Sequence, residues 1–222
     1  AVTPGRAGAG RDLATGAVAG NVAAELRSPE GEPTLATLLG PSARLSLEGR
    51  READGTMRAS MLHLDGRHLS IAGSATLDTG GTVAADMRAS LSELAPLASA
   101  AGAPLSGQLA ADATLSGTIE RPEFRLRLSS PGIDASGRRL RQLALTAEGS
   151  VENAVVTVRA AGGVQLDGIP VEIGARVRQE GDRTAVEDLR IDAAGQRLTG
   201  SAQLAGGQPT TATAHLAAPD LS

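Results

Sequence analysis

His63, Asp65 and His68 bring three side chains able to hold a metal ion or move a proton around one Asp-Gly turn of this 222-residue chain. A divalent cation wants three or four N, O or S donors, and no further His and no Cys lies nearby. Leu62 and Leu64 flank His63, so in an alternating strand the imidazole belongs on the wet face. His215 has the same explanation. Gly5-Arg6-Ala7-Gly8-Ala9-Gly10 has the outline of a nucleotide loop, yet it follows no strand and precedes no convincing helix, and it reads as a linker. The Asp-Gly pairs lack both EF-hand spacing and the Gly-Gly-x-Gly-x-Asp repeat, and they read as turns. No Gly-x-Ser-x-Gly elbow and no Ser/His/Asp set is present. Glu120 and Glu123 show no acid/base pairing. The expectation is a protein that is not an enzyme and holds no metal or cofactor.

Composition narrows the classes further. There is no Trp, Tyr, Cys or Lys; all 21 basic residues are Arg, and Phe124 is the only aromatic. Without Lys there is no P-loop lysine and no Schiff base. Without Cys there is no thiol chemistry and no disulfide. A net charge of −4 with one aromatic ring supplies neither the basic groove nor the stacking platform that nucleic-acid binding needs. Leu, Ile, Val and Phe make up roughly a fifth of the chain, close to the range where globular folding becomes doubtful. Much of the remaining apolar content is Ala, so a thick closed core is hard to build. No segment approaches the roughly 20 apolar residues of a membrane helix.

The elements that must position any site are strands. Val83, Met87 and Leu91 share one face of an alternating run, and Leu109, Leu115 and Ile119 share one face of a longer run over 105–120. The same period continues through Phe124, Leu126 and Leu128; Leu143 and Leu145; Val156 and Val158; Val171, Ile173 and Val177; Leu189 and Ile191; Leu198 and Leu204. Successive strand residues point to opposite faces, so these side chains are expected to line one apolar face, with charged and hydroxyl residues on the other. Turn signals recur about every ten residues, at Asp54-Gly55, Asp65-Gly66, Gly80-Gly81, Glu152-Asn153, Gly162-Gly163, Asp167-Gly168, Gly181-Asp182 and Gly206-Gly207. They predict about thirteen to fifteen antiparallel strands. Short helices are expected near 34–39 and over 92–101, the second with Ser92 as N-cap and Gly102 as its stop.

A gapless self-match adds a repeat of about 127 residues. Leu62, Asp65, Gly73, Ser74, Ala75 and Leu77 recur as Leu189, Asp192, Gly200, Ser201, Ala202 and Leu204. Residues 1–16 are expected to be flexible or linker-like, 17–222 to form the β-rich repeat region, and a truncated third unit, opening on a helix, to begin at 219. Repetition of this kind favours an extended array whose function lies in a long surface. The fold expected is all-β: an elongated, curved antiparallel sheet with short helical insertions.

The run Leu91-Ser-Glu-Leu-Ala-Pro-Leu-Ala-Ser-Ala-Ala-Gly-Ala-Pro-Leu-Ser-Gly107, followed by Gln108-Leu-Ala-Ala-Asp-Ala-Thr-Leu-Ser-Gly117, resembles the repeats of the TamB and AsmA-like proteins. So do Leu140–Gly149 and the pair Ile71–Leu77 and Leu198–Leu204. The resemblance implies the periplasmic part of an inner-membrane-anchored protein of a Gram-negative bacterium. It implies a taco-shaped sheet whose hydrophobic groove carries phospholipid acyl chains between the inner and outer membranes. It also implies a role in outer-membrane protein translocation and assembly beside a BamA/TamA-like partner, through regions outside this chain. The residues agree on mechanism, because a sheet that is apolar on one face and lacks bulky fill curls without closing. A fatty tail lying in it gains about 0.8 kcal/mol per buried methylene. The competing reading is a β-solenoid adhesin or secreted surface fibre. Such fibres show short coil periods and often Asn ladders, and this chain has two Asn, Asn21 and Asn153. The pairs Arg50-Arg51 and Arg138-Arg139 sit near strand ends, where headgroups could be met; a solvated turn is the simpler reading.

Overall fold

Alternating apolar and polar residues with Gly or Asp at the reversals give one continuous antiparallel meander. The computed structural model describes residues 2–11, 17–27, 33–206 and 208–217. Its strands are β1 (Val2–Arg11), β2 (Val18–Arg27), β3 (Ser42–Arg51), β4 (Met57–Asp65), β5 (Leu69–Leu77), β6 (Val83–Leu91), β7 (Leu105–Gly107) and β8 (Leu109–Gly117). They continue as β9 (Pro122–Ala135), β10 (Arg138–Glu152), β11 (Val155–Leu166), β12 (Ile169–Glu180), β13 (Arg183–Ala193), β14 (Gln196–Ala205) and β15 (Gln208–Ala217). Strands pair in chain order in a single open sheet, and β7 alone leaves that path to pair with the end of β9. β7 and β8 are one strand broken at Gln108. Gly107 takes φ +117 there, and a Cβ would run into the Gly132 carbonyl. The long β9 spans both pieces.

Two helical segments interrupt the meander, and both lie on the same rim: α1 (Pro33–Leu39) after β2, and a 3-10 turn (Ala95–Leu97) running into α2 (Ala98–Ala101) after β6. Gly40 and Gly102 end them with φ of +76 and +66, the left-handed conformation that costs glycine little. The rim is stitched by main chain: Arg67 N–H donates to Leu39 O, His68 N–H to Leu38 O, Ser92 N–H to His68 O and Leu94 N–H to Gly107 O. Leu38, Ala43 and Leu94 are the described hydrophobic residues that are fully buried, and all three belong to this corner. Among the described residues the opposite rim holds only turns.

The described elements touch only their neighbours in the sheet or this helical corner; no second layer covers either face. The accessible surface is 14395 Å², whereas a compact monomer of this mass would expose about 9,400 Å². The molecule is an elongated, curved, single-layer all-β ribbon, as its alternation and thin apolar content require.

Several expectations are corrected. Residues 2–11 are a strand paired with β2 rather than a linker; main-chain bonding to a neighbour needs no side-chain alternation. Gly162-Gly163 is not a turn but lies inside β11, where Gly162 faces Leu145 and Ile173. Ser92 makes no cap: the segment starts as a 3-10 turn without side-chain capping, and Glu93 Oε1 accepts from Ala95 N–H at 3.1 Å. The run over 105–120 ends at Gly117, which takes φ +95. The expected third helix from 219 lies outside the described residues.

The internal repeat extends to irregularities. β4 carries one extra residue between Ala59 and Leu62 relative to β5. β13 carries one between Val186 and Leu189 relative to β14, the same positions 127 residues on. Such bulges raise the local twist, so the two units coil alike at the same point.

Inner-face glycines mark close approaches. A Cβ at Gly149 would lie 2.5 Å from Phe124 Cζ and 2.6 Å from Thr157 O, while one at Gly174 would meet nothing nearer than 3.9 Å. Gly149→Val should therefore lower the thermal midpoint, at a cost of about 1–3 kcal/mol, and Gly174→Ala should leave it nearly unchanged. Circular dichroism melts of the two variants check this.

Candidate apolar groove

Register determines which side chains share a face. A single row of direct cross-strand partners runs Ala24, Leu45, Leu64, Ile71, Ala89, Ala111, Leu128, Leu145, Gly162, Ile173, Ile191, Leu198, Leu216, one residue from each strand of the path between β2 and β15. No polar side chain interrupts it. Strands stand about 4.8 Å apart, so the row is about 60 Å long. Parallel rows reinforce it, as in Met87–Ala113–Leu126–Ala147–Ala160.

Of the side chains expected on this face, all but Ile119 and Ile173 are half-buried. Their neighbours on the alternating positions are mostly exposed. No described element lies over them, so the shielding comes from the curl of the sheet itself, with the apolar face inward. Ile173 keeps its place in the row at 38 % exposure. Ile119 falls outside: it sits in the β8–β9 turn, 64 % exposed, its N–H bonded to Gly81 O. The alternation had been carried two residues past the true strand end. Leu45, Leu47, Leu62, Leu64 and Ile71 extend the lining into β3–β5 and were not among the expected residues. Their signal was present in the spacing of Ala43, Leu45 and Leu47.

The depth of the groove is set by small residues. Gly73 lies beneath the Met87 side chain, Gly149 beneath the Phe124 ring and Gly162 beneath Leu145. Large side chains therefore lie down across cross-strand glycines instead of filling the trough. One apolar hollow of about 430 Å³ opens at the bare rim, lined by Val18, Arg51, Met57, Ala59, Ala75, Leu77, Val83 and their neighbours.

The other face is a ladder of charges. Arg88 Nε bonds Asp112 at 2.7 Å, Arg125 Nε bonds Glu148 at 2.7 Å, and Asp192 takes both Arg190 and Arg197. Hydrogen bonds donated to Asp112 and Asp192 raise the guanidinium pKa of Arg88 and Arg190. Asp192 is held below the ordinary carboxylate range, chiefly by Arg190 and then by Arg197. At the turns, Asp167 is lowered by the Arg139 N–H and the Arg138 side chain, Asp54 by the Thr56 N–H and Asp78 by the Thr82 N–H. Exposed pairs of this kind each contribute little, but together they keep the outer face wet.

His63 is exposed on this outer face, opposite Ser46 and Ala72, whereas His68 is half-buried beneath α1. Among the described residues, no three His, Cys, Asp or Glu side chains converge to hold a metal ion. The arrangement can shelter an apolar chain over a long distance. Comparisons with protein-family models, curated proteins and solved structures find no match.

Because the folded pKa of Asp192 is lowered, its contribution is complete above the unfolded carboxylate value of about 3.9 and is lost as pH falls through the lower folded value. An NMR titration should give Asp192 a midpoint below that of a free aspartate, and Arg197→Gln should raise it.

Proposed function

We propose that this chain is a segment of a TamB/AsmA-like envelope protein whose groove carries phospholipid acyl chains between the inner and outer membranes. One observation supports it above the others: an apolar inner face, continuous across thirteen strands, that no described element fills. An acyl tail laid along the trough gains on the order of 10 kcal/mol gross. Dispersion and hydrophobic contacts have no direction, so the tail can slide from strand to strand. On this reading the chain works in the periplasm, anchored to the inner membrane through parts outside it. Assembly of outer-membrane proteins beside a BamA/TamA-like partner is the companion role, again through other regions. The adhesin alternative stacks parallel coils, and every described strand pair here is antiparallel.

Leu115, flanked by Ala85 and Phe124, and Ile173, flanked by Gly162 and Ile191, are the places to block the trough. Leu115→Asp and Ile173→Asp should each cut co-purified phospholipid in native mass spectra about tenfold, with the circular dichroism spectrum retained. Arg88→Gln on the outer face should change nothing. Folded Asp variants that still carry wild-type amounts of lipid would sink the conduit.

A further inference from the structure

The inner face is apolar along its length, but the register puts three arginines on it, all at strand ends. Arg11 ends β1 opposite Val18. Arg138 begins β10 and gives its guanidinium to Asp167 at 2.9 Å. Arg51 ends β3 in the row Val18–Arg51–Met57–Leu77–Val83. Its side chain is exposed and makes no ion pair or hydrogen bond among the described residues. The carboxylates nearby are engaged elsewhere. Glu52 takes Arg50 at 2.5 Å and faces Arg58 at 4.0 Å. Asp54 accepts the Thr56 N–H, and Asp78 the Thr82 N–H. Arg50 and Arg58 thus share the Glu52 carboxylate on the outer face, and Arg51 beside them faces inward with no carboxylate of its own among the described residues. Directly inward lies the apolar hollow of about 430 Å³, with Val18 42 % and Met57 51 % exposed at its mouth.

A charge without a counter-ion among the described residues, beside exposed apolar side chains, suits an amphiphile with an anionic head. The geometry points to an entry site in which an anionic headgroup, a phosphate or a carboxylate, binds the Arg51 guanidinium while its alkyl chain lies in the hollow against Met57 and Leu77. The planar fork of arginine suits two oxygens of one anion. This rests on the conduit reading and adds to it a place and a charge preference.

The internal repeat supplies a control. Arg50 and Glu52 correspond to Arg178 and Glu180, which pair in the same way at 3.4 Å. The position matching Arg51 is Gln179, in the row Val156–Gln179–Thr184–Leu204. Both the charge and the methionine are missing there, so the second unit offers no such head site.

The test compares monomeric dodecyl phosphate, laurate and dodecyl maltoside binding to the whole chain by isothermal titration calorimetry. These share one alkyl length and differ in headgroup. The wild type should bind at least one of the two anions about tenfold more tightly than the maltoside, in line with one charge-assisted hydrogen bond. Phosphate above laurate indicates a phospholipid-type head, and the reverse a free fatty acid. Raising salt should erode the preference. Arg51→Gln should abolish it while leaving maltoside binding unchanged, and Arg51→Lys should retain part of it. Equal binding of all three by the wild type, or an unaltered preference in Arg51→Gln, would overturn the head site while the conduit stands. Failure of all three to bind would overturn both.

Discussion

The hydrogen-bond ladder between neighbouring strands holds this protein together, because little else can. Three buried hydrophobic residues among those described, all at one corner, do not make a core, and Phe124 is a single aromatic side chain where several usually supply one. Each strand inside the sheet is instead fixed by two main-chain partners, the edge strands β1 and β15 by one, and all by side chains that shelter one another across the ladder. Stability is then a sum of neighbour terms along a line. The polar outer face keeps the single layer in solution, and the curl of the sheet gives the inner face its partial shelter. The trough follows from the same shortage that denies the chain a core.

Within that constraint the two faces divide the work. The outer face is closed electrostatically, with Arg set beside Asp or Glu in Arg88–Asp112, Arg125–Glu148 and Arg197–Asp192. The inner face stays open sterically, because glycines sit under its largest side chains. Phe124 shows the logic: a ring that would obstruct the trough if upright is laid over Gly149.

Much of this was legible in the sequence, and the limits were physical. Phe124, Leu126 and Leu128 alternate with charges so cleanly that their face was evident. The strand Val2–Arg11 was not legible, since pairing at a sheet edge asks nothing of its side chains. Gly162 read as a turn because a glycine that makes room for Leu145 looks no different from one that reverses the chain. Ile119 kept the period after the strand had stopped, because periodicity does not report where hydrogen bonding ends. Arg51 is the instructive case. Its type and its place near a strand end were visible, but its face depends on the register with Val18 and Met57, which only the paired strands define.

The broad wetted surface of the folded ribbon, 14395 Å², also shapes its response to stress. Denaturant sensitivity and the heat-capacity change both scale with the area newly hydrated on unfolding. A chain that already shows so much of itself to water has less left to reveal than a globule of equal mass. Its unfolding slope in urea should be shallower for its length and its stability curve flatter, so that cold and warmth alter it less.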